Sequence, residues 1–449
     1  MAETAVVAPP LAALSLPPLT EKTLGNGLSV IAAQRPRSPV CSASLVFKAG
    51  SARDPKGKAG LADFTVELLR RGTKKRPASA IDEALELMGA DLRLDTSSDS
   101  TAVSVTVPSE HLEPALALVA ELVRAPAFDA KEVLSARKRT VAALQTDLDD
   151  PATLAAQALY RAALGNHPYG HSVRGVRKDV ATFNRADCQK WQERWLGPAG
   201  ATLALASDSS GDEALALVRS LFGTWTGPAP AETTLPPVPA IDGREILLVD
   251  KPEATQAQIR LASLGPSRLA PDVVAARVSV LMLGGGFTSR LVDAIRVTRG
   301  LSYGVSAYLT ETEVGGLFVV SSYTKTSTVR ELVDVALGET ERYRDEGPTA
   351  EELTRAQRYT NGLYPLSLET VDQLARALAE LKRYGRSPDW LERYRERVSA
   401  VDAAQAKAQA QRWFLSQGFA AAVVGNAKAL RKPLEGVGRV QVVAPEKLG

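Results

Sequence analysis

The residues best suited to chemistry lie in one short block near the N-terminus and one block far downstream. Residues 60–73 read GLADFTVELLRRGT, and the apolar spacing predicts a helix. Asp63 and Glu67 are four residues apart, so their carboxylates share one face of that helix. The block predicts a solvated acidic face, and the alternative is a site for a hard cation.

The downstream block, residues 281–309, reads LMLGGGFTSRLVDAIRVTRGLSYGVSAYL and contains Arg296 and Tyr303. An arginine fork can hold a carbonyl or carboxylate, and a phenol can donate a hydrogen bond to the oxyanion of a tetrahedral intermediate. From spacing alone, the alternative is an arginine paired within its helix and a tyrosine packed in the core. The run Gly284–Gly286 lacks the lysine and the spacing of a phosphate-binding loop, and it predicts a flexible turn between two helices.

The histidines offer little for a metal site. The chain has only His111, His167 and His171. His167 and His171 have a spacing that places two imidazoles on one face of a helix, but Pro168 and Gly170 interrupt any helix there. We therefore expect no zinc site at this segment, and we expect His111, which precedes a predicted helix, to be a surface or capping residue.

The elements that must position these residues occur twice along the chain. The strand-like segments LSVIAAQ, SASLVFKAG and ATLALAS return as EILLVDK, QIRLASLG and AAAVVGN, with strand–helix segments between them. The matches are about 214–218 residues apart, which indicates a duplicated α/β unit. Paired strands separated from longer helices predict an α+β fold of two lobes, each a mostly antiparallel sheet with helices on one face.

These patterns predict four segments. Residues 1–20 form a flexible N-terminal arm, and residues 21–225 form the first lobe. Residues 226–242, TGPAPAETTLPPVPAID, form an extended linker, and residues 243–449 form the second lobe. Two lobes can enclose a cleft that holds a ligand, and the alternative is a duplicated scaffold that presents only a surface.

The GLADFTVELLRRGT block, with KAGSARDP before it, resembles the inverted-motif zinc peptidases: pitrilysin, insulysin and the mitochondrial processing peptidases. In active members two histidines four residues apart bind zinc, and the glutamate beside them activates the zinc-bound water. Aligned without gaps, the histidine positions are Asp63 and Glu67 and the base position is Val66. The downstream glutamate ligand falls at Ala143 or Leu144. The resemblance therefore implies a degenerate zinc motif and no metal in this chain.

The segment SRLVDAIRVTRGLSYGV resembles the signature of the family's second half, where an arginine and a tyrosine face the zinc site across the cleft. Arg296 and Tyr303 occupy those positions. The resemblance implies a non-catalytic subunit that lends both residues to a homologous zinc-bearing partner in a heterodimer. Zinc is then expected only in the partner, and an extended or unfolded peptide is the expected substrate. The lobes would have to close to complete the site.

Two alternatives remain open: a structural scaffold like the core proteins of respiratory complexes, and a non-hydrolytic peptide-binding homodimer. A net charge of +3 on 449 residues gives no reason to expect nucleic acid or a membrane surface as partner. Cys41 and Cys188 cannot form a disulfide framework, and the N-terminus lacks the basic region of a signal peptide. We expect a bacterial, cytoplasmic protein, or a periplasmic one if a leader has been removed.

Overall fold

The computed structural model describes residues 13–227, here called the N-terminal lobe, and residues 234–448, the C-terminal lobe. Each of these stretches forms one six-stranded mixed sheet. The strands of the N-terminal lobe are β1 (Leu19–Thr23), β2 (Ser29–Gln34), β3 (Val40–Phe47), β4 (Asp91–Thr96), β5 (Thr101–Pro108) and β6 (Thr202–Ser207). Those of the C-terminal lobe are β7 (Arg244–Asp250), β8 (Gln256–Gly265), β9 (Val305–Thr310), β10 (Gly316–Lys325), β11 (Phe419–Gly425) and β12 (Arg439–Val443).

The helices lie between groups of strands along the chain in both lobes. The α-helices of the N-terminal lobe are α1 (Leu61–Leu68), α2 (Ala78–Leu87), α3 (Leu112–Arg124), α4 (Ala130–Thr146), α5 (Pro151–Leu164), α6 (Arg177–Val180), α7 (Arg185–Trp195) and α8 (Gly211–Phe222). Those of the C-terminal lobe are α9 (Val273–Val280), α10 (Val329–Glu346), α11 (Ala350–Leu363), α12 (Val371–Arg383), α13 (Asp389–Glu392), α14 (Tyr394–Ser399), α15 (Ala403–Trp413) and α16 (Ala427–Glu435). Across both described stretches, no helix combines the length and apolarity that crossing a membrane requires.

The two sheets repeat one topology. Their strand orders are β1-β2-β6-β3-β5-β4 and β12-β7-β11-β8-β10-β9. The parallel neighbours β2 and β6 correspond to β7 and β11, whereas β3, β4 and β5 pair antiparallel just as β8, β9 and β10 do. The outer strand differs, since β1 is antiparallel to β2 and β12 is parallel to β7. The predicted α+β fold with duplicated, mostly antiparallel sheets is confirmed.

One face of each sheet packs on helices of its own lobe. In the N-terminal lobe, Leu45 of β3 and Leu116 of α3 are fully buried in one apolar core. In the C-terminal lobe, the rings of Phe318 and Phe414 stack with centroids 4.2 Å apart, within a second core. These two cores are the part of the packing that the period of the apolar residues predicted.

The other face of each sheet is covered by a helix from the opposite lobe. Helix α5 of the N-terminal lobe lies on β7, β8 and β11, where Leu154 and Leu159 are buried in one cluster with Val249. Helix α12 of the C-terminal lobe lies on β3 and β6, where Leu374 and Leu378 are buried. The lobes are thus joined by two reciprocal helix–sheet interfaces, an exchange that the expectation of a cleft between them did not include.

Alanines in the central strands make room for the exchanged helices. Ala204 of β6 and Ala422 of β11 are fully buried, each on the face that meets the helix from the other lobe. Because successive residues of a strand point to opposite faces, Leu203 and Leu205 of β6 point instead into the core of their own lobe. In β6, small side chains toward α12 and leucines toward the core of its own lobe let the strand bury both faces at native packing density.

Polar contacts also cross between the lobes. The carboxylate of Asp99 accepts a hydrogen bond from the Tyr169 phenol at 2.5 Å and another from the Glu313 backbone N–H at 2.9 Å. Within the predicted linker, Leu235 is buried in the cluster around α5. Residues 228–233 of that linker, like most of the predicted arm, lie outside the described residues, and the domain boundaries stay predictions.

We predict that the exchange couples the stability of the two lobes. Leu378→Ala removes a fully buried side chain of α12 and is expected to lower the free energy of unfolding by about 2–5 kcal/mol. Hydrogen exchange should then show faster exchange in β3 and β6, although the substitution lies in the other lobe. Leu366→Ala, at a position 55% exposed, is the matched control and should change stability by less than about 0.5 kcal/mol. Unchanged protection of β3 and β6 in Leu378→Ala would contradict the coupling.

Candidate functional site

The N-terminus of α1 is held by a carboxylate and a glycine. Asp54 accepts hydrogen bonds from the backbone N–H groups of Gly60 at 2.7 Å and Ala62 at 2.8 Å, which satisfies donors that a helix start leaves free. Burial raises the pKa of Asp54 to about 8, although these backbone donors oppose the rise. Gly60 has φ of +96°, and a Cβ there would lie 2.6 Å from the carbonyl oxygen of Arg174. Only glycine fits this approach.

The three degenerate motif positions on α1 have different environments. Asp63 is half-buried, and burial raises its pKa to about 6; the Glu67 charge adds to the rise, while Thr96 and Arg174 oppose it. Val66 is 1% exposed and belongs to the core of the N-terminal lobe. Glu67 is exposed, and its carboxylate lies 3.4 Å from the guanidinium of Arg139 on α4.

Helix α4 supplies no third ligand to this face. Arg139 contacts Glu67, and Ala143 lies four residues further along the same face of α4. Leu144, the other candidate position, is buried and apolar. The residues present therefore do not fit a zinc ion, because the base position is a core valine and one carboxylate is already paired with a cation. Within the described residues, no group of three or more His, Cys, Asp or Glu could hold a metal.

The histidines are engaged by the backbone. The Nε2 atom of His167 lies 2.9 Å from the Pro236 carbonyl, which can only accept, so Nε2 donates and Nδ1 accepts from the Tyr169 N–H at 3.1 Å. The Nδ1 atom of His171 lies 3.0 Å from the Ser172 carbonyl. His111 occupies the N-cap position of α3, but its side chain makes no capping hydrogen bond, so the capping role is wrong.

Arg296 and Tyr303 contact each other on the surface of the C-terminal lobe. Arg296 lies in the π-helical segment Val292–Thr298, and its guanidinium carbon is 4.5 Å from the centroid of the Tyr303 ring. Tyr303 is 76% exposed, so it is not a core residue. The stacking keeps a cation and a phenol together at a surface that faces solvent.

The pair borders a pocket of about 410 Å³ whose opposite wall is Gly284–Gly286 followed by Phe287. The glycine run is only partly the predicted turn: Leu281–Gly285 is π-helical, and the turn to the next helical segment covers residues 286–289, including Gly286. A Cβ at Gly284 would lie 2.6 Å from the Cβ of Ala307, so this glycine lets the helix approach β9. The stacked guanidinium and phenol lie side by side in the lining of this pocket.

Two features were missed by the sequence analysis. One is Arg139, whose contact with Glu67 depends on the packing of α4 against α1. The other is a second pocket of about 280 Å³ on the far side of Phe287, which is itself 85% exposed. A phenylalanine directly after three glycines is a signal that could have pointed to an exposed aromatic residue.

Two lobes of one topology, the helix α1 with the aligned positions Asp63, Val66 and Glu67, and the stacked pair Arg296 and Tyr303 indicate a metallopeptidase-like protein. Residues 29–177 match the family model described as insulinase (peptidase family M16). Residues 182–359 match the model described as peptidase M16 inactive domain. The chain belongs to the M16 peptidase family, which confirms the resemblance.

The individual relatives differ in name: some are named zinc proteases, and one is named a non-peptidase homolog. An uncharacterized zinc protease of Mycobacterium leprae is 30% identical over 64% of this chain, and the match spans 65% of that relative's length. A protein of Helicobacter pylori named non-peptidase homolog YmxG is 24% identical over 73% of this chain and 75% of its own length. A probable mitochondrial-processing peptidase subunit beta of Arabidopsis thaliana is 24% identical, covering 92% of this chain and 79% of its own.

Solved structures share the whole fold. A peptidase M16 inactive domain from Pseudomonas fluorescens superposes with a TM-score of 0.85 at 25% identity, covering 91% of this chain and 98% of its own. A protease from Helicobacter pylori gives a TM-score of 0.84 at 19% identity, covering 92% of this chain and 100% of its own, which shows the fold alone.

The raised pKa of Asp63 predicts that ionisation of this carboxyl lowers the stability of the folded protein as the pH rises. Its folded-state pKa of about 6 exceeds the ordinary value of 3.8, so the folded state binds more protons between these limits and stability falls as pH rises through them. Asp63→Asn should therefore stabilise the protein by about 1–3 kcal/mol at pH 8 and by nearly nothing near pH 4. Urea unfolding at the two pH values measures this. Asp345→Asn, at an exposed position, is the control; an equal gain from both substitutions would contradict the penalty.

Because α1 and α4 face each other, we predict that substitutions on both helices can create a metal site between them. Asp63→His and Glu67→His with Ala143→Glu would place two imidazoles and a carboxylate on facing helix surfaces. We expect the triple variant to retain about one zinc ion per chain after dialysis, measured by elemental analysis, and the unsubstituted chain to retain none. The control keeps both histidines but leaves Ala143 unchanged. Stoichiometric zinc in the unsubstituted chain would overturn the conclusion that its metal chemistry is lost.

Proposed function

We propose that this chain is the non-catalytic subunit of a two-chain zinc peptidase. A homologous partner provides the zinc, and this chain provides Arg296 and Tyr303. The observation that carries the proposal is their contrast with the motif helix: the half-buried Arg296 is stacked on the exposed Tyr303 at a pocket, whereas Val66 is part of the core. The names of the relatives, zinc protease for one and non-peptidase homolog for another, support a family in which some chains lack the chemistry.

The two side chains supply what a metal-bound water cannot. The Arg296 guanidinium would hold a peptide carbonyl or carboxylate, and the Tyr303 phenol would donate a hydrogen bond to the oxyanion as the tetrahedral intermediate forms. Both interactions strengthen when the partner covers the exposed pocket and excludes water. Zinc would be held entirely by the partner, so none is needed in this chain.

In this proposal the site closes when this chain and its partner associate, not when the two lobes of this chain move together. The exchanged helices α5 and α12 join the two lobes of one chain through buried apolar contacts, and opening them would expose both clusters. The C-terminal lobe instead offers β9, the outermost strand of its sheet, beside the Arg296 pocket, to which Val305 contributes. An extended peptide could pair with the free edge of this strand. The proposal includes a cytoplasmic location for the complex.

The test mixes the purified chain with a family member from the same genome that carries an intact H-x-x-E-H motif. We expect cleavage of an unfolded peptide by the mixture and none by this chain alone. Tyr303→Phe should lower kcat by about 10²-fold, the cost of losing one oxyanion donor. Arg296→Ala should lower kcat/KM by about 10-fold to 100-fold, because a charged hydrogen bond is lost.

Arg219→Ala, at an exposed position on α8, is the matched control and should leave the rate unchanged. Unchanged rates in both site variants would show that the pair has no catalytic role. The scaffold alternative predicts assembly with a large non-peptidase complex and no homologous partner. The homodimer alternative predicts peptide binding by this chain with no cleavage in any mixture.

A further inference from the structure

The pocket on the far side of Phe287 is apolar and separate from the Arg296 pocket. It measures about 280 Å³, and its walls include Met282 from the π-helical segment and Ala356 and Tyr359 from α11. The exposed ring of Phe287, with Gly286 before it, lines both pockets. A chain that crosses this ring therefore contacts both pockets.

The charged groups around this pocket are already paired. The carboxylate of Glu352 accepts two hydrogen bonds from Arg290, at 2.6 and 2.8 Å, and one from the Thr349 backbone N–H at 2.7 Å. Arg355 donates to Glu351 at 2.5 Å. The Glu352 carboxylate is thus already satisfied and the pocket wall is mostly apolar, so the pocket favours an apolar occupant.

One polar group in the pocket wall lacks a partner. Ser289 lines the pocket and is 3% exposed, and its hydroxyl makes no hydrogen bond within the described residues. A buried hydroxyl without a partner is unfavourable, so a ligand that brings a donor or acceptor removes a cost already present in the free protein. Its oxygen is buried in the free chain, so the side chain must change rotamer to reach an occupant.

We propose that this pocket receives one bulky apolar side chain of the extended peptide that meets Arg296 and Tyr303. The Ser289 hydroxyl hydrogen-bonds a backbone group of the same peptide. The Met282 side chain adapts to leucine, methionine or phenylalanine, because a thioether chain is flexible and polarizable. The inference rests on the proposed function and adds a preference: peptides with a large apolar residue close to the cleaved bond.

Binding to the chain alone tests the pocket. The probes are fluorescein-labelled peptides of glycine and serine that differ only at a central phenylalanine, alanine or aspartate, read by fluorescence anisotropy. We expect the phenylalanine peptide to bind about 10-fold to 100-fold more tightly than the alanine peptide, with aspartate weakest. Tyr359→Asp, at a position 54% exposed, should reduce this ratio to near one. Leu87→Asp, at a position 77% exposed on the other lobe, is the matched control and should preserve it.

Ser289→Ala gives a second, independent measurement. It should weaken binding of all three peptides by about 3-fold to 10-fold, because one hydrogen bond is lost. The thermal midpoint of the free chain should stay the same or rise, because an unpaired buried hydroxyl is removed. Unchanged binding in this variant would overturn the role of the hydroxyl. Equal binding of the phenylalanine and alanine peptides, no binding of any peptide, or a ratio that survives in folded Tyr359→Asp would each overturn the pocket.

The two proposals fail in different ways. If Arg296→Ala changes neither cleavage by the two-chain mixture nor peptide binding, the proposed catalytic role is wrong, while a phenylalanine preference abolished by Tyr359→Asp still supports the pocket. If Arg296→Ala weakens the phenylalanine and alanine peptides equally and Tyr359→Asp has no effect, the pocket is wrong and the role of Arg296 stands.

Discussion

The reciprocal packing of α5 and α12 is the constraint on which the rest of this structure depends. Each sheet buries both faces only because the other lobe supplies a helix, and the central strands accommodate it with alanines such as Ala204 and Ala422. Separating the lobes would expose Leu154 and Leu378 together with the alanine faces, and burial of one large apolar side chain is worth about 1.5–3 kcal/mol. Opening the lobes of one chain would therefore be costly, and for this reason the proposed closure is one between this chain and its partner.

That constraint determines how α1 and the pair Arg296 and Tyr303 are presented. The motif helix α1 is integrated into the N-terminal core through Val66, and its exposed Glu67 is neutralised by Arg139. A half-exposed ion pair of this kind contributes about 0–1 kcal/mol, so it adds little to the packing of α1 against α4. The pair Arg296 and Tyr303, in contrast, remains free to meet a ligand.

The fold was predictable from the sequence because the strand and helix patterns are periodic and occur twice along the chain. Strand and helix patterns recurring at one offset are enough to infer a duplicated α+β unit, and the M16 models cover both halves. The exchange of α5 and α12 was not predictable in this way, since an apolar stripe on a helix does not say which sheet it covers. Gly284 was misjudged for a related reason: its closeness to Ala307 is a tertiary contact, and locally a glycine run reads as a turn. The identity of the site residues came from the resemblance, but their exposure came only from the packing.

The surface around Phe287 carries the strongest physical argument for a binding role. Phe287 and Tyr303 are 85% and 76% exposed, and Tyr359 nearby is 54% exposed, so three aromatic rings lie at adjoining pockets of one lobe. Single exposed apolar residues need no explanation, but a contiguous group of them is typical of an interaction site. The chain places this group beside a guanidinium and an unpaired hydroxyl, where an apolar side chain and a peptide group can be bound together. The proposed peptide and partner chain would bury this group on binding.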